Sequence, residues 1–263
     1  MSLQKSIQRT TDFFITLLLW SYYLCGSIVL FFLFYLPAYF FAANRASALQ
    51  KLTHIHMKNF FKLTGWLIPR VKFSIQDEVR QLHSSVIVCN HLSYLDPILL
   101  ISLLPQQRTI VKNTFFKIPF FGWFMKNAGY VPSAPSEMLG AAMVKNLESI
   151  KEHLAAGGNL FVFPEGTRSR DGRLGTFNKG VFSIAHYCNA PLALIFIKDT
   201  DKLFRPGSFS FNTRDFNEIK VELIDYLEPD YQSKDFSTSV LANYVRRLYE
   251  ARTKKSNNSI LKI

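Results

Sequence analysis

Two short stretches of this chain combine residue types and spacings that can do chemistry. The first, Asn90-His91-Leu92-Ser93-Tyr94-Leu95-Asp96, follows the apolar run Val86-Ile87-Val88-Cys89. A β-branched run that ends abruptly in Asn-His predicts a buried strand delivering polar side chains to a sheet edge, the usual place for chemistry in an α/β fold. The spacing lets the chain turn back so that the Asp96 carboxylate reaches one imidazole nitrogen of His91, leaving the other free as a general base. Plainer readings compete: Asp before Pro97 is an ordinary helix start, and most hydrogen-bonded histidines are structural. Both can hold if one carboxylate oxygen caps while the other orients His91. The second stretch, Phe163-Pro164-Glu165-Gly166-Thr167-Arg168, follows another strand-like run and again carries charge into a turn. An arginine fork suits two phosphate oxygens, and glycine lets a ligand approach the backbone. Glu165 can order Arg168 or accept a substrate hydroxyl, with a simple Glu165–Arg168 salt bridge as the plain alternative.

Other site chemistries fit less well. Ser93 and Cys89 flank His91, but Ser93 lacks a Gly-x-Ser-x-Gly elbow and Cys89 falls inside the predicted strand. His91 and Asp96 have no further clustered ligands, so no metal is expected. Cys25, Cys89 and Cys188 are too scattered for a disulfide framework and suit a reducing environment.

These motifs resemble those of the glycerolipid acyltransferase family, in particular the 1-acylglycerol-3-phosphate acyltransferases. The family's His-x4-Asp block is matched by His91 and Asp96, and its Phe-Pro-Glu-Gly-Thr-Arg block by Phe163 to Arg168. Its middle block, a lysine before an aromatic, Pro and Gly run, is matched by Lys112, Phe115, Phe116, Ile118, Pro119, Phe120, Phe121 and Gly122. The similarity extends over roughly 86–197. It implies a reaction without a cofactor, in which His91 and Asp96 are catalytic, Glu165, Gly166, Thr167 and Arg168 bind substrate, and Lys112 meets the substrate phosphate. The implied partners are a lysophospholipid acceptor, lysophosphatidic acid, and an acyl-CoA or acyl-carrier-protein donor. Two departures touch the acceptor: Asn113 and Thr114 stand where many members have Glu, and Tyr130 to Pro135 lacks an expected cation. Lyso-ornithine lipid or lysophosphatidylglycerol are therefore alternative acceptors. A non-catalytic membrane-binding relative and a lipid hydrolase or phosphatase are the alternatives of other classes.

The elements that must position these motifs follow from pattern. Strands are expected at 71–75, 86–89, 109–111, 160–163 and 192–197, with more strand around 220–224, and helices at 46–66, 97–104, 137–156, 179–189 and 238–255. Their alternation predicts an α/β domain with a central mixed sheet flanked by helices. In the first helix the stripe runs through Leu49, Leu52, Ile55, His56, Asn59, Phe60 and Leu63, and His54 and His56 are read as interfacial or surface residues. In the 137–156 helix the stripe of Leu139, Met143, Leu147, Ile150 and Leu154 is read as core, stopped by Gly157-Gly158. The middle block interleaves Phe, Trp and Met with lysine, which suits either a surface dipping into lipid headgroups or a core helix with snorkelling lysines.

Ahead of this domain no charge occurs between Asp12 and Arg45, an apolar interval long enough to cross or lie within a bilayer. It is too long for a signal-peptide core and has no evident cleavage site. Basic residues flank both ends, so single-span and monotopic anchoring both fit, and Pro37 is a candidate break. The net charge of +12 in 263 residues calls for a polyanionic partner. Nucleic acid is not expected, since no nucleic-acid-binding motif is present, whereas an anionic membrane surface fits the apolar segment. The expected organisation is 1–66 as N-terminal membrane-anchoring helices, 67–256 as the acyltransferase domain and 257–263 as a flexible tail, at a membrane with the active domain facing the cytoplasm.

Overall fold

A computed structural model describes residues 2–133, 140–168 and 174–260. The N-terminal apolar interval is one helical run: α1 (Ser2–Leu30), a π-helical stretch (Phe31–Tyr35) and α2 (Leu36–Phe41). Pro37 does not break it. The wider π turn ends at Tyr35, one residue short of the position before Pro37, which lacks an N–H, and the helix resumes for another turn. The chain then reverses, and the Asn44 side chain accepts the Ser47 N–H at 3.0 Å to start α3 (Arg45–Leu67).

The sheet contains β1 (Val71–Ile75), β2 (Val86–Cys89), β3 (Gln107–Lys112), β4 (Val131–Ser133), β5 (Asn159–Val162), β6 (Leu192–Lys198) and β7 (Asn217–Leu227). Their order is β1-β7-β6-β2-β5-β3-β4. All described pairings are parallel except β6 with β7, so the sheet is mixed, as its pattern predicts. Between the strands lie α4 (Asp77–Gln81), α5 (Leu95–Leu103), α6 (Phe121–Asn127), α7 (Ala141–Ala155), α8 (Gly180–Cys188) and α9 (Thr200–Leu203), and α10 (Thr238–Ile260) follows β7. α10 thus runs through part of the segment expected as a tail.

Strands β2, β5 and β6 are apolar apart from Asn159 at the start of β5 and Lys198 at the end of β6, because helices cover both sheet faces. Ile87, Cys89, Phe161, Ala193 and Ile195 pack in one core with Leu49 and Phe60 of α3 and Leu99 of α5. The alternate residues Val86, Val88, Leu160, Leu192 and Leu194 pack in the other with Phe182 of α8 and Val245 and Tyr249 of α10. That alternation is the period-2 signature of a three-layer domain.

Two stripes depart from expectation. α3 is covered on two sides, by the N-terminal helical run and by the domain, so its buried set includes Gln50, Thr53, His56 and Met57 while Ile55 is exposed. His56 is therefore an interior residue, stacked on Tyr22 at 4.9 Å, and His54 is half-buried against the Ile101 carbonyl at 3.0 Å. In α7, Ile150 and Leu154 are core, but Met143 is exposed. Leu139 lies outside the described residues.

Candidate active site

The site forms where β2 and β5 end. Asn90 clamps the exit of β2 to β6: its Nδ2 donates to the Ile197 carbonyl at 2.8 Å, and its Oδ1 accepts the Ile197 N–H at 2.7 Å. The next residue is His91, whose Nδ1 lies 2.8 Å from Asp96 Oδ2. That same oxygen accepts the backbone N–H groups of Leu92 and Ser93 at 2.6 and 2.7 Å. The expected division of labour between the two oxygens is therefore corrected: Oδ2 both closes the turn and orients the imidazole. Oδ1 is engaged separately, by the Thr200 hydroxyl at 2.5 Å. Asp96 is fully buried, in the first turn of α5. Acceptor to two amides already, it leaves Nδ1 as the donor and the lone pair on Nε2.

The second motif meets the first directly. The Phe163 ring stacks on His91 with centroids 4.1 Å apart. Glu165 Oε1 accepts the His91 N–H at 3.1 Å and Oε2 accepts the Gly175 N–H at 2.8 Å. Glu165 thus joins the two motif turns through backbone donors, and among the described residues it forms no ion pair with Arg168. Burial pushes its carboxyl above the ordinary range, and the two N–H bonds partly offset that. Gly166 adopts φ +66° and has open space where a Cβ would stand, so the turn needs glycine and its backbone is accessible. Thr167 is exposed beside it.

The Arg168 guanidinium lies over the Tyr94 ring, 3.3 Å from its centroid, and its buried Nη1 has no hydrogen-bond partner among the described residues. Tyr94 belongs to the first motif, so the imidazole and the guanidinium are held at the same edge. Lys112 ends β3 at this edge too and is exposed, but no described polar contact joins it to the dyad. Cys89 and Ser93 are closed to chemistry: burial, then Asp96, raise the Cys89 thiol well above its usual value, and buried Ser93 donates its hydroxyl to the Phe204 carbonyl at 2.8 Å.

The middle block divides. Phe115, Ile118, Phe120 and Phe121 are exposed, whereas Phe124 and Met125 are core. Phe120 and Trp123 pack edge-on against Phe31 of the π stretch, at 5.1 and 5.0 Å. The N-terminal run is also tied at its other end: Arg214 pairs with Asp12, the Phe211 N–H donates to Thr16 Oγ1 at 3.0 Å, and Trp20 Nε1 donates to the Phe209 carbonyl at 3.2 Å.

Sequence reasoning passed over Asn90 as a clamp, Tyr94 and Thr200. Asn90 and Tyr94 stood inside the motif without an assigned task. Thr200 had one available signal, its place just after a fully apolar strand at the carboxyl edge of the sheet.

Comparison with known proteins agrees with this geometry. Residues 70–198, which hold both motifs, match the protein family described as Acyltransferase. A 1-acyl-sn-glycerol-3-phosphate acyltransferase of Brassica napus is 42% identical over 123 residues, 47% of this chain and 35% of that protein. One of Arabidopsis thaliana is 40% identical over 47% of this chain and 34% of its own length, so the chain aligns with about a third of these relatives. A 1-acyl-sn-glycerol-3-phosphate acyltransferase of Borreliella burgdorferi is 26% identical over 76% of this chain and 80% of its own. The fold matches the crystal structure of the acyltransferase PlsC from Thermotoga maritima with a TM-score of 0.66 at 22% identity, over 93% of this chain and 96% of that one. The two charged motifs, joined at one sheet edge, thus both lie inside the segment that matches the acyltransferase family.

Proposed function

We infer that this protein transfers an acyl chain from acyl-CoA or an acyl-carrier-protein conjugate to the free hydroxyl of lysophosphatidic acid, forming phosphatidic acid. The observation that carries the reading is the His91–Asp96 pair at 2.8 Å joined through Glu165 to the turn that bears Arg168. His91 Nε2 takes the hydroxyl proton as that oxygen attacks the thioester carbonyl. A C–O bond forms, the C–S bond breaks, and the proton on the imidazole passes to the departing thiolate. Arg168, with an unpartnered Nη1, is the cation for the acceptor phosphate, Gly166 and Thr167 border it with accessible backbone, and Lys112 is the second cation of that edge.

The helical run Arg9–Phe41 is long and apolar enough to cross a membrane. Its ties at Asp12, Thr16 and Trp20 and again at Phe31 hold it along the domain, which favours anchoring in one leaflet over a span that leaves the domain behind. In this reading residues 1–66 anchor, residues 67–256 carry the chemistry, and the domain lies on the anionic cytoplasmic face.

The test is acyl transfer by the full chain in lipid vesicles, with labelled acyl-CoA or acyl-carrier protein offered to a lysolipid panel. His91→Ala is expected to lower turnover on lysophosphatidic acid by about 100- to 10,000-fold, the usual contribution of a general base. Wild-type turnover in that variant would remove the dyad. Release of free fatty acid without lysolipid consumption would make the protein a hydrolase.

A further inference from the structure

The hydroxyl on the far side of Asp96 belongs to no motif of the chain. Thr200 is completely buried at the start of α9, and its Oγ1 lies 2.5 Å from Asp96 Oδ1, 104 residues away in sequence. Oδ2 is occupied by His91 and two backbone amides, so Thr200 is the one side-chain donor on the other oxygen among the described residues. Without it Oδ1 would be buried with no donor, and the plane of the carboxylate that the imidazole follows would be held from one side only.

Thr200 is itself held from several sides. Its neighbour Asp199 sits at φ +65°, a left-handed conformation, with its carbonyl accepting Asn217 Nδ2 at 2.9 Å. Four residues later the Phe204 carbonyl accepts the Ser93 hydroxyl from the His91–Asp96 turn. Beyond it, the 204–214 stretch is tied to α1 through Phe211, Phe209 and Arg214. We propose that Thr200 is a positioning residue for the acyl-transfer dyad, holding the Asp96 carboxylate in the one orientation that keeps His91 aimed at the acceptor hydroxyl. The proposal rests on the acyltransferase reading for its kinetic effect but not for its effect on His91 itself.

The chemistry sets the direction of the effect. A hydroxyl donating to one carboxylate oxygen draws charge away from the other. Removing it makes Oδ2 a stronger acceptor for the imidazole, so His91 should hold its proton to higher pH. The other titratable groups around Asp96 are Cys89 on β2, Glu165 after β5 and Asp201 on α9, all of which are retained in every Thr200 variant.

The experiment compares the full-length wild-type protein with Thr200→Val, which keeps the shape and removes the donor, Thr200→Ala, which carries the same measurements if Val impairs folding, and Thr200→Ser, which restores the donor. Two readouts are taken from pH 5 to 9: kcat and KM for lysophosphatidic acid with acyl-CoA in vesicles, and the rate of diethylpyrocarbonate modification of His91, followed by mass spectrometry of its peptide. Val and Ala are expected to lower kcat about 10- to 100-fold, the size of one hydrogen bond to a carboxylate, with KM little changed. They should move the His91 modification midpoint upward by about half a pH unit, and Ser should return both toward wild type. An unmoved midpoint in Val and Ala, or a Ser variant as impaired as Val, would overturn the role. If wild-type protein transfers no acyl group, the acyltransferase reading fails while the His91 midpoint still decides whether Thr200 positions Asp96.

Discussion

A carboxylate has two oxygens and few lone-pair directions, so the partners that occupy them decide what it can still do. Glu165 spends both oxygens on backbone N–H groups, from His91 and Gly175, and becomes the strut between two motif turns that are 74 residues apart. From the sequence Glu165 is read as ordering Arg168 or accepting a substrate hydroxyl, with a salt bridge to Arg168 as the plain alternative. Backbone donors leave no mark in side-chain patterns, which is why the strut was invisible there while His91 and Asp96, a side-chain pair at short spacing, were legible. Glu165→Gln retains the shape but sets an NH2 group against one of the two N–H donors. It should lower activity by displacing the His91 turn, and about 1–3 kcal/mol of stability should go with the unpaired donor. The pH dependence has a definite sign. Because burial raises the Glu165 carboxyl, the folded state binds its proton more tightly than the unfolded chain does. Its contribution is complete below the ordinary glutamate range and is lost as pH rises through the raised value. In thermal melts, the wild-type minus Glu165→Gln difference should therefore shrink across that interval, and a difference independent of pH would contradict the assignment.

At the scale of elements, the central strands were readable because each is a short apolar run bounded by polar residues, and the sheet class followed from their alternation with helices. The layer that was not readable is the one between α1 and α3. A helix packed on two sides buries polar residues such as Gln50, Thr53 and Thr64 that a single-face pattern assigns to solvent. The π stretch was likewise hidden, since Pro37 signals a disturbed helix but not whether the helix stops or continues through a wider turn, as it does here with Phe31 packed on Phe120 and Trp123. The turn that makes those contacts possible depends on Gly122. A Cβ there would stand 2.1 Å from the Phe116 carbonyl oxygen, a backbone atom that cannot swing aside. The Gly122 N–H also donates to the Ile118 carbonyl at 2.7 Å within the same turn. Gly122→Ala should therefore cost about 1–3 kcal/mol. It should lower the thermal midpoint and loosen the Phe120–Phe31 contact, seen as faster amide exchange in 113–125. An unchanged midpoint would mean that this turn is more plastic than its geometry allows.

Across the whole molecule, charge and apolar surface fit the proposed membrane partner. The N-terminal run exposes Phe32, Leu33, Phe34, Phe40 and Phe41, and the middle block adds Ile118, Phe120 and Phe121. Phe32 and Phe120 sit 6.1 Å apart, so the two sets are continuous. The middle block directly follows β3, whose carboxyl end lies on the same edge as His91, so the apolar face borders the reaction site. The whole chain carries 31 Lys and Arg against 19 Asp and Glu, a net positive charge that would add attraction for anionic headgroups in the proposed membrane-bound state. These two contributions respond differently to salt: the electrostatic part is screened beyond about 10 Å at 0.1 M, while burial of apolar side chains is not. In flotation with vesicles containing acidic lipid, high salt should therefore weaken binding of the wild-type chain without abolishing it. The double substitution Phe40→Glu and Phe41→Glu removes apolar anchors worth about 1.5–3 kcal/mol each if buried in lipid, so binding should fall at least tenfold and become fully releasable by salt. Its folding should be intact, because both side chains face outward. Complete release of the wild-type chain by salt alone would leave the charge as the whole of the attachment and take the apolar face away as an anchor.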